Sequence, residues 1–287
     1  CKFAHHKTEF MKKILVTTDF STHSKAGMRF AIQLATQKNA ELVFFYCFQA
    51  QLPTTIQGEF IQTSVSKQAN THLQKLEKFV AGLYKTMNVA PGEHRCVVEE
   101  DLSPDNAILD YTRRHAIDYI CISTRGAGIV TKVIGTHTSG VILKSPVPVL
   151  AVPHSWRTHP VSKIMYASDL ENLDNEIQTV SSLAQSLDVR VDLAHFYYPG
   201  EIKIEPAVLT GIWREKMKRL DQVYLEPFDV DKGFAGQLDR LVKKAKPSIA
   251  VFFTHTNKTW FDKLFSISRS KAFSFVTKVP MLVYRKP

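Results

Sequence analysis

Short apolar runs alternate with helix-spaced apolar positions along this chain. Ile14-Leu15-Val16-Thr17 is apolar, rich in β-branched residues and bounded by Asp19, which predicts a short buried strand. Met28, Ile32 and Ala35, with Ala31 and Leu34, then recur at helical spacing behind Ser21 or Thr22 as the capping residue. Leu42-Val43-Phe44-Phe45-Tyr46 is apolar without alternation, as expected of a parallel strand covered on both faces. A long helix is predicted over residues 61–87, with Leu73, Leu76, Phe79, Val80 and Leu83 on one stripe. Cys96-Val97-Val98 reads as a third strand, and Ser103-Pro104 opens a helix with a cap followed by proline. Residues 119–122, 136–143 and 149–152 read as strand, helix and strand. Strand alternating with helix throughout implies a parallel α/β sheet.

The pattern then repeats. Lys13-Ile14-Leu15-Val16-Thr17-Thr18-Asp19 returns as Lys163-Ile164-Met165-Tyr166-Ala167-Ser168-Asp169, and Pro148-Val149-Leu150-Ala151-Val152 as Pro280-Met281-Leu282-Val283-Tyr284. A period this long means tandem domains rather than a solenoid of 20–50-residue repeats. The offset is 150 at the first two strands, taking Asp19 with Asp169 and Tyr46 with Phe196, and 130 at the fourth, taking Asp118 with Ser248. The second copy therefore lacks about 20 residues where the first has its long helix. The expected division is a residue 1–10 extension, disordered or foreign to the fold, then domains at residues 11–155 and 156–287. The polar linker between Pro153 and Pro160 should hold the domains at a restricted angle.

The formal net charge of +10 raises the question of nucleic acid. Its distribution answers it: residues 1–155 carry 17 basic and 12 acidic side chains, and residues 156–287 carry 20 and 15, so each part is +5. Nucleic-acid binders concentrate basic residues on one face or arm, so none is expected as a partner. No apolar run reaches the roughly 18 residues of a membrane span, and no membrane association is expected. Three of the four cysteines, Cys47, Cys96 and Cys121, lie in strand-like runs and read as buried thiols in a reducing cytoplasm.

Candidate chemistry gathers in two loops that leave carboxyl ends of strands, where doubly wound sheets bind ligands. One carries Thr18 and Asp19. The other runs from Ser123 through Arg125, Gly126, Gly128, Lys132 and Gly135 to Thr136, His137 and Thr138. Glycines let a backbone approach a ligand closely. A helix starting at Gly135-Thr136 offers free N–H donors and a positive dipole end to an anion. Hydroxyls at Ser123, Thr136 and Thr138, with the charges of Arg125 and Lys132, make this phosphate-binding chemistry. The loop alone leaves a packing role equally open.

The whole from Met11 onward resembles a tandem member of the universal stress protein family. The nucleotide-binding motif of that family, Gly-x2-Gly-x9-Gly-Ser/Thr, is matched here by Ser123-x2-Gly126, eight residues, then Gly135-Thr136. The first glycine is thus Ser123 and the spacer is one residue short. The resemblance implies two tandem doubly wound, five-stranded, Rossmann-like domains joined as a pseudo-dimer through their last strands, with a homodimer of chains as a further option. It implies ATP or another adenine nucleotide, with Mg²⁺ as a companion ion, bound in the first domain. Asp19 would stand near the adenosine, and the Cys47 backbone would meet the adenine. Read by itself, Cys47 is simply a core residue.

The corresponding second loop, Phe253 to Ser268, holds no glycine and carries Trp260, Phe261, Leu264 and Phe265. That half is expected not to bind a nucleotide. His137 and His255 lack a cysteine or carboxylate at triad spacing, and no Gly-x-Ser-x-Gly, His-Glu-x-x-His or Walker lysine motif occurs. No catalytic residue or metal ligand is assigned. The expected role is nucleotide-linked stress signalling with a protein partner the sequence does not name. A module that binds no nucleotide, or a slow ATPase using Asp19 to hold a metal, are the alternatives.

Overall fold

The computed structural model describes residues 11–51, 59–124, 136–198, 205–254 and 278–286; the expected extension, residues 1–10, lies outside them. The chain runs β1 Lys13–Thr17, α1 Ser24–Lys38, β2 Glu41–Phe48, α2 Glu59–Met87, β3 His94–Glu100, α3 Pro104–Arg114, β4 Tyr119–Thr124, α4 Thr136–Lys144 and β5 Val149–Pro153. The second half follows as β6 Lys163–Ala167, α5 Leu173–Leu187, β7 Arg190–Tyr197, α6 Pro206–Lys216, β8 Leu220–Pro227, α7 Gly233–Ala245, β9 Ile249–Thr254 and β10 Met281–Arg285. The elements read from periodicity are those observed. Neither Ser21 nor Thr22 is the cap of α1: the N-cap residue is His23, which makes no side-chain cap, and the Ser21 hydroxyl accepts the N–H of Ser24, the first helical residue, at 3.2 Å. Asn39, left-handed at φ 54°, ends it.

The strands form one sheet in the order β3-β2-β1-β4-β5-β10-β9-β6-β7-β8. Neighbours are parallel except β5 and β10, which pair antiparallel with Leu150 opposite Leu282. Two doubly wound units are thereby joined into a pseudo-dimer through their last strands. The join covers two apolar strand edges that would otherwise be open to pairing with other chains.

Alternate residues of each strand feed two cores. Ile14, Val16, Phe44 and Cys121 meet α1 and α2 on one face, and their counterparts meet α5 and α6. Leu15, Val43, Phe45 and Ile120 meet α3 and α4 on the other, and their counterparts meet α7. The linker is pinned rather than loose. Trp156 is buried against Phe30, ring centroids 5.2 Å apart, and Gln37 exchanges two hydrogen bonds with the Val161 backbone, at 2.9 and 3.1 Å.

Strand register aligns the halves residue by residue. Thr17 pairs with Phe45 and Ala167 with Ala194, so the counterpart of Tyr46 is His195 and that of Cys47 is Phe196. The offset at the second strand is therefore 149, one less than the sequence alignment assumed. At the fourth strand, Ile14 pairs with Tyr119 and Ile164 with Ile249, in keeping with the offset of 130. The shortening falls between them: α6 has 11 residues where α2 has 29.

Candidate functional site

In both halves the strand order reverses beside the first strand, between β1 and β4 and between β6 and β9. This reversal leaves a crevice outside the carboxyl ends of those strands. In the first half its walls begin with Thr18, Asp19, Ser123 and Thr124. Thr18 is buried; its hydroxyl accepts the Phe20 N–H at 3.1 Å and lies 2.9 Å from Ser24 Oγ. Asp19 is exposed and folds back to accept the Ser21 N–H at 2.9 Å. Phe20 sits in the left-handed region at φ 61°, as does its counterpart Leu170 at φ 65°. A non-glycine residue there costs about 1–3 kcal/mol and is found where function or packing over-determines the backbone. The kink turns the chain from β1 into α1 and packs the Phe20 ring on Tyr46, centroids 4.4 Å apart.

Ser123 faces α1 rather than the helix that follows it. Its Oγ accepts the Gly27 N–H at 2.7 Å and donates to the Ser24 carbonyl at 3.0 Å, so the hydroxyl expected to serve a phosphate is engaged by α1. A Cβ on Gly27 would stand 2.6 Å from that oxygen; the glycine is what lets α1 lie so close to β4. The Cys47 thiol donates to the Asp101 carbonyl at 3.6 Å. Burial, then the Asp101 carboxylate, pushes it up to about 11, so it stays protonated at neutral pH. Arg125, Gly126, Gly128, Lys132 and Gly135 lie outside the described residues. Thr136, His137 and Thr138 form the first turn of α4, and only their backbone is described.

At the second crevice the aspartate is paired with a lysine of the same half. Lys286, just past β10, is buried, and its ammonium reaches both oxygens of Asp169, at 2.7 and 2.6 Å. Glu176 Oε1 lies 3.3 Å from the same ammonium. The other Glu176 oxygen accepts the Tyr166 hydroxyl, which also lies 2.9 Å from Ser168 Oγ. Burial pushes the Glu176 carboxyl up, against the pull of Tyr166 and Lys286. For Lys286, burial works against the charge but Asp169 and Glu176 outweigh it, and its pKa is raised.

Residues 11–153 match the profile of the universal stress protein family. Over nearly its whole length the chain superposes on a universal stress protein from Archaeoglobus fulgidus DSM 4304: TM-score 0.70, 14% identity, covering 96% of this chain and 99% of that one. A putative universal stress protein from Pseudomonas aeruginosa UCBPP-PA14 gives TM-score 0.56 at 12% identity, covering 96% and 94%. The chain belongs to the universal stress protein family. It has the tandem form, since structures of comparable length are covered almost end to end. A further structure is of a universal stress protein in complex with cAMP, at 16% identity and TM-score 0.35 over 50% of this chain and 98% of that one. No curated protein sequence matches.

Set against this family's motif, sequence reading missed Lys286, Glu176 and Gly27. Lys286 falls in a basic stretch, Arg285-Lys286, that looks solvated, and Glu176 in a helix that looks like any amphipathic one. The one available signal was positional. Gly27 and Glu176 are each the fourth residue of the helix after the aspartate, so glycine in one copy faces a carboxylate in the other.

Cys121 is buried, while Cys47 and Cys96 are only partly so. Among the described residues, no helix is long and apolar enough to cross a membrane.

Proposed function

We propose that the first half binds ATP or a related adenine nucleotide in the crevice between β1 and β4, and that the protein acts by holding this ligand rather than turning it over. The observation that carries the reading is the contrast between two crevices of the same topology. The first has Asp19 exposed at its mouth and a chain that runs from Thr124 to the N-terminal turn of α4. The second has its aspartate paired with Lys286. The N–H groups opening α4 would face the phosphates, with Arg125 and Lys132 adding charge. Asp19 would accept from the ribose hydroxyls, and Phe20 and the Cys47 backbone would border the base. Mg²⁺ would accompany the phosphates. A protein of this family whose expected role is stress signalling is then a sensor of nucleotide.

One observation favours the alternative of a module that binds no nucleotide: the Ser123 hydroxyl is engaged by α1, and Ser123 stands where nucleotide-binding relatives have glycine. Calorimetric titration with ATP and Mg²⁺, with mass spectrometry of ligand released from the denatured protein, separates the readings. One site per chain is expected. Two sites would defeat the account of the second half, and no heat together with no released nucleotide would leave the interaction module.

A further inference from the structure

Three carboxylate oxygens converge on one nitrogen in the second half. The Lys286 ammonium has three N–H donors; it donates to Asp169 Oδ1 at 2.7 Å and Oδ2 at 2.6 Å, while Glu176 Oε1 stands 3.3 Å away as an ion-pair partner without a hydrogen bond. The Glu171 carboxylate stands farther out, at 3.7 Å. The acceptors are held in place from behind. Glu176 is 3% exposed and takes the Tyr166 hydroxyl on its other oxygen, while Asp169 Oδ1 also receives the Glu171 N–H at 3.0 Å.

Counting Glu171, the cluster carries three formal negative charges against one positive. A buried carboxylate is tolerated when paired and hydrogen-bonded; Glu176 is buried, Asp169 partly so and Glu171 exposed, and all three face an ammonium.

The residues at the corresponding positions of the first half are different. The His154 N–H bonds to the Thr124 carbonyl as the Lys286 N–H bonds to the Thr254 carbonyl, so His154 stands in the place of Lys286. Gly27 stands in the place of Glu176. The lysine and the glutamate thus occur together in one copy and are both replaced in the other, while the aspartate stands in each.

We propose that Asp169 and Glu176, steadied by Tyr166, form a recognition site for a primary ammonium group, and that Lys286 is its resident occupant, closing the second crevice to anionic ligands. The inference holds whether or not the first crevice takes a nucleotide. Lys286 also follows β10, the strand that joins the two halves, so its seating fixes that strand against β9 and the start of α5.

The test removes the occupant and supplies a substitute. Lys286→Ala in the full chain should lower the thermal midpoint by about 10 °C, as expected when one partner of a buried ion pair is lost. Propylammonium chloride should then raise the midpoint of the variant saturably and leave the unmodified protein unchanged. Tetramethylammonium chloride at the same ionic strength carries the charge without N–H donors and should rescue neither. If Lys286→Ala does not fold alone, refolding yield in the two salts is the readout. Lys286→Met, which keeps the aliphatic stem, should still be strongly destabilised. Equal effects of the two ammonium salts on the alanine variant, or a methionine variant as stable as the unmodified protein, would overturn the proposal.

Discussion

The two crevices share strand order, an aspartate after the first strand and a left-handed residue after that aspartate, yet they are packed in opposite ways. In the first, Gly27 brings α1 down onto β4, and the small Ser123 bonds to it. In the second, Phe253 replaces Ser123 and stacks on Tyr284, centroids 5.1 Å apart, with Tyr166 beside it at 5.8 Å. A carboxylate and a lysine occupy the remaining space. The lesson is that a duplicated fold keeps its backbone switch point while side chains decide what the aspartate at that point meets. A single glycine-to-carboxylate exchange at the fourth position of one helix requires a cation, and that cation then takes the aspartate.

The comparison can be broken most severely at the glycine-rich loop. If the proposed site is right, Gly135→Val should weaken nucleotide binding at least about a hundredfold, ~2.7 kcal/mol, because a bulky β-branched side chain would crowd the phosphate. Gly82→Val is the matched control, since a Cβ at Gly82 meets nothing within 4 Å; its affinity should be that of the unmodified protein. Unchanged affinity in a folded Gly135 variant would put the site elsewhere.

A smaller effect is expected at the α1–β4 contact. Gly27→Ala should destabilise by about 1–3 kcal/mol through overpacking, despite the better helix propensity of alanine. The added Cβ would lie 2.6 Å from Ser123 Oγ and 3.1 Å from the Ser123 backbone nitrogen. Ser123→Ala in the same chain should recover part of that loss, seen as coupling in a double-mutant cycle by urea denaturation. Strict additivity would show that the two residues do not meet.

The smallest effect concerns His154, which stands where the second half has Lys286. Burial first, then the neighbouring His23 and Arg157, lowers its pKa, so the folded protein favours the neutral ring. Its contribution to stability is then fully present above about pH 6.5, the ordinary histidine value, and is lost as pH falls through the lower folded value. His154→Gln should flatten the stability profile between about pH 5 and 7 without changing it at pH 8. An unaltered slope would mean the ring is as free to protonate folded as unfolded.

Much of this was legible in the amino-acid order because it depends on local periodicity. The runs around Ile14, Leu42 and Tyr119 could only be buried strands, and the repeated Lys-to-Asp segments announced two copies of one unit. The pairing of the last strands was implied by the family resemblance, and it covers their apolar edges. The mouth residues Thr18 and Asp19 were placed correctly at a carboxyl end. The direction of Ser123 was not foreseeable, because whether a strand residue faces α1 or α4 depends on register, and a shift of one reverses it. The alignment of Tyr46 with Phe196 failed for the same reason: a one-residue deletion near the start of α5 leaves the apolar pattern looking intact.

Sequence by itself therefore determined the tandem α/β fold and the position of the switch point, since these rest on periodicity along the chain, and its resemblance to a known family supplied the family. Only the tertiary structure decided that Lys286 seats on Asp169 and Glu176, which are 117 and 110 residues away. Ion pairs of that kind are set by where strands end in space. No local pattern distinguishes a lysine bound for a buried carboxylate from one bound for water.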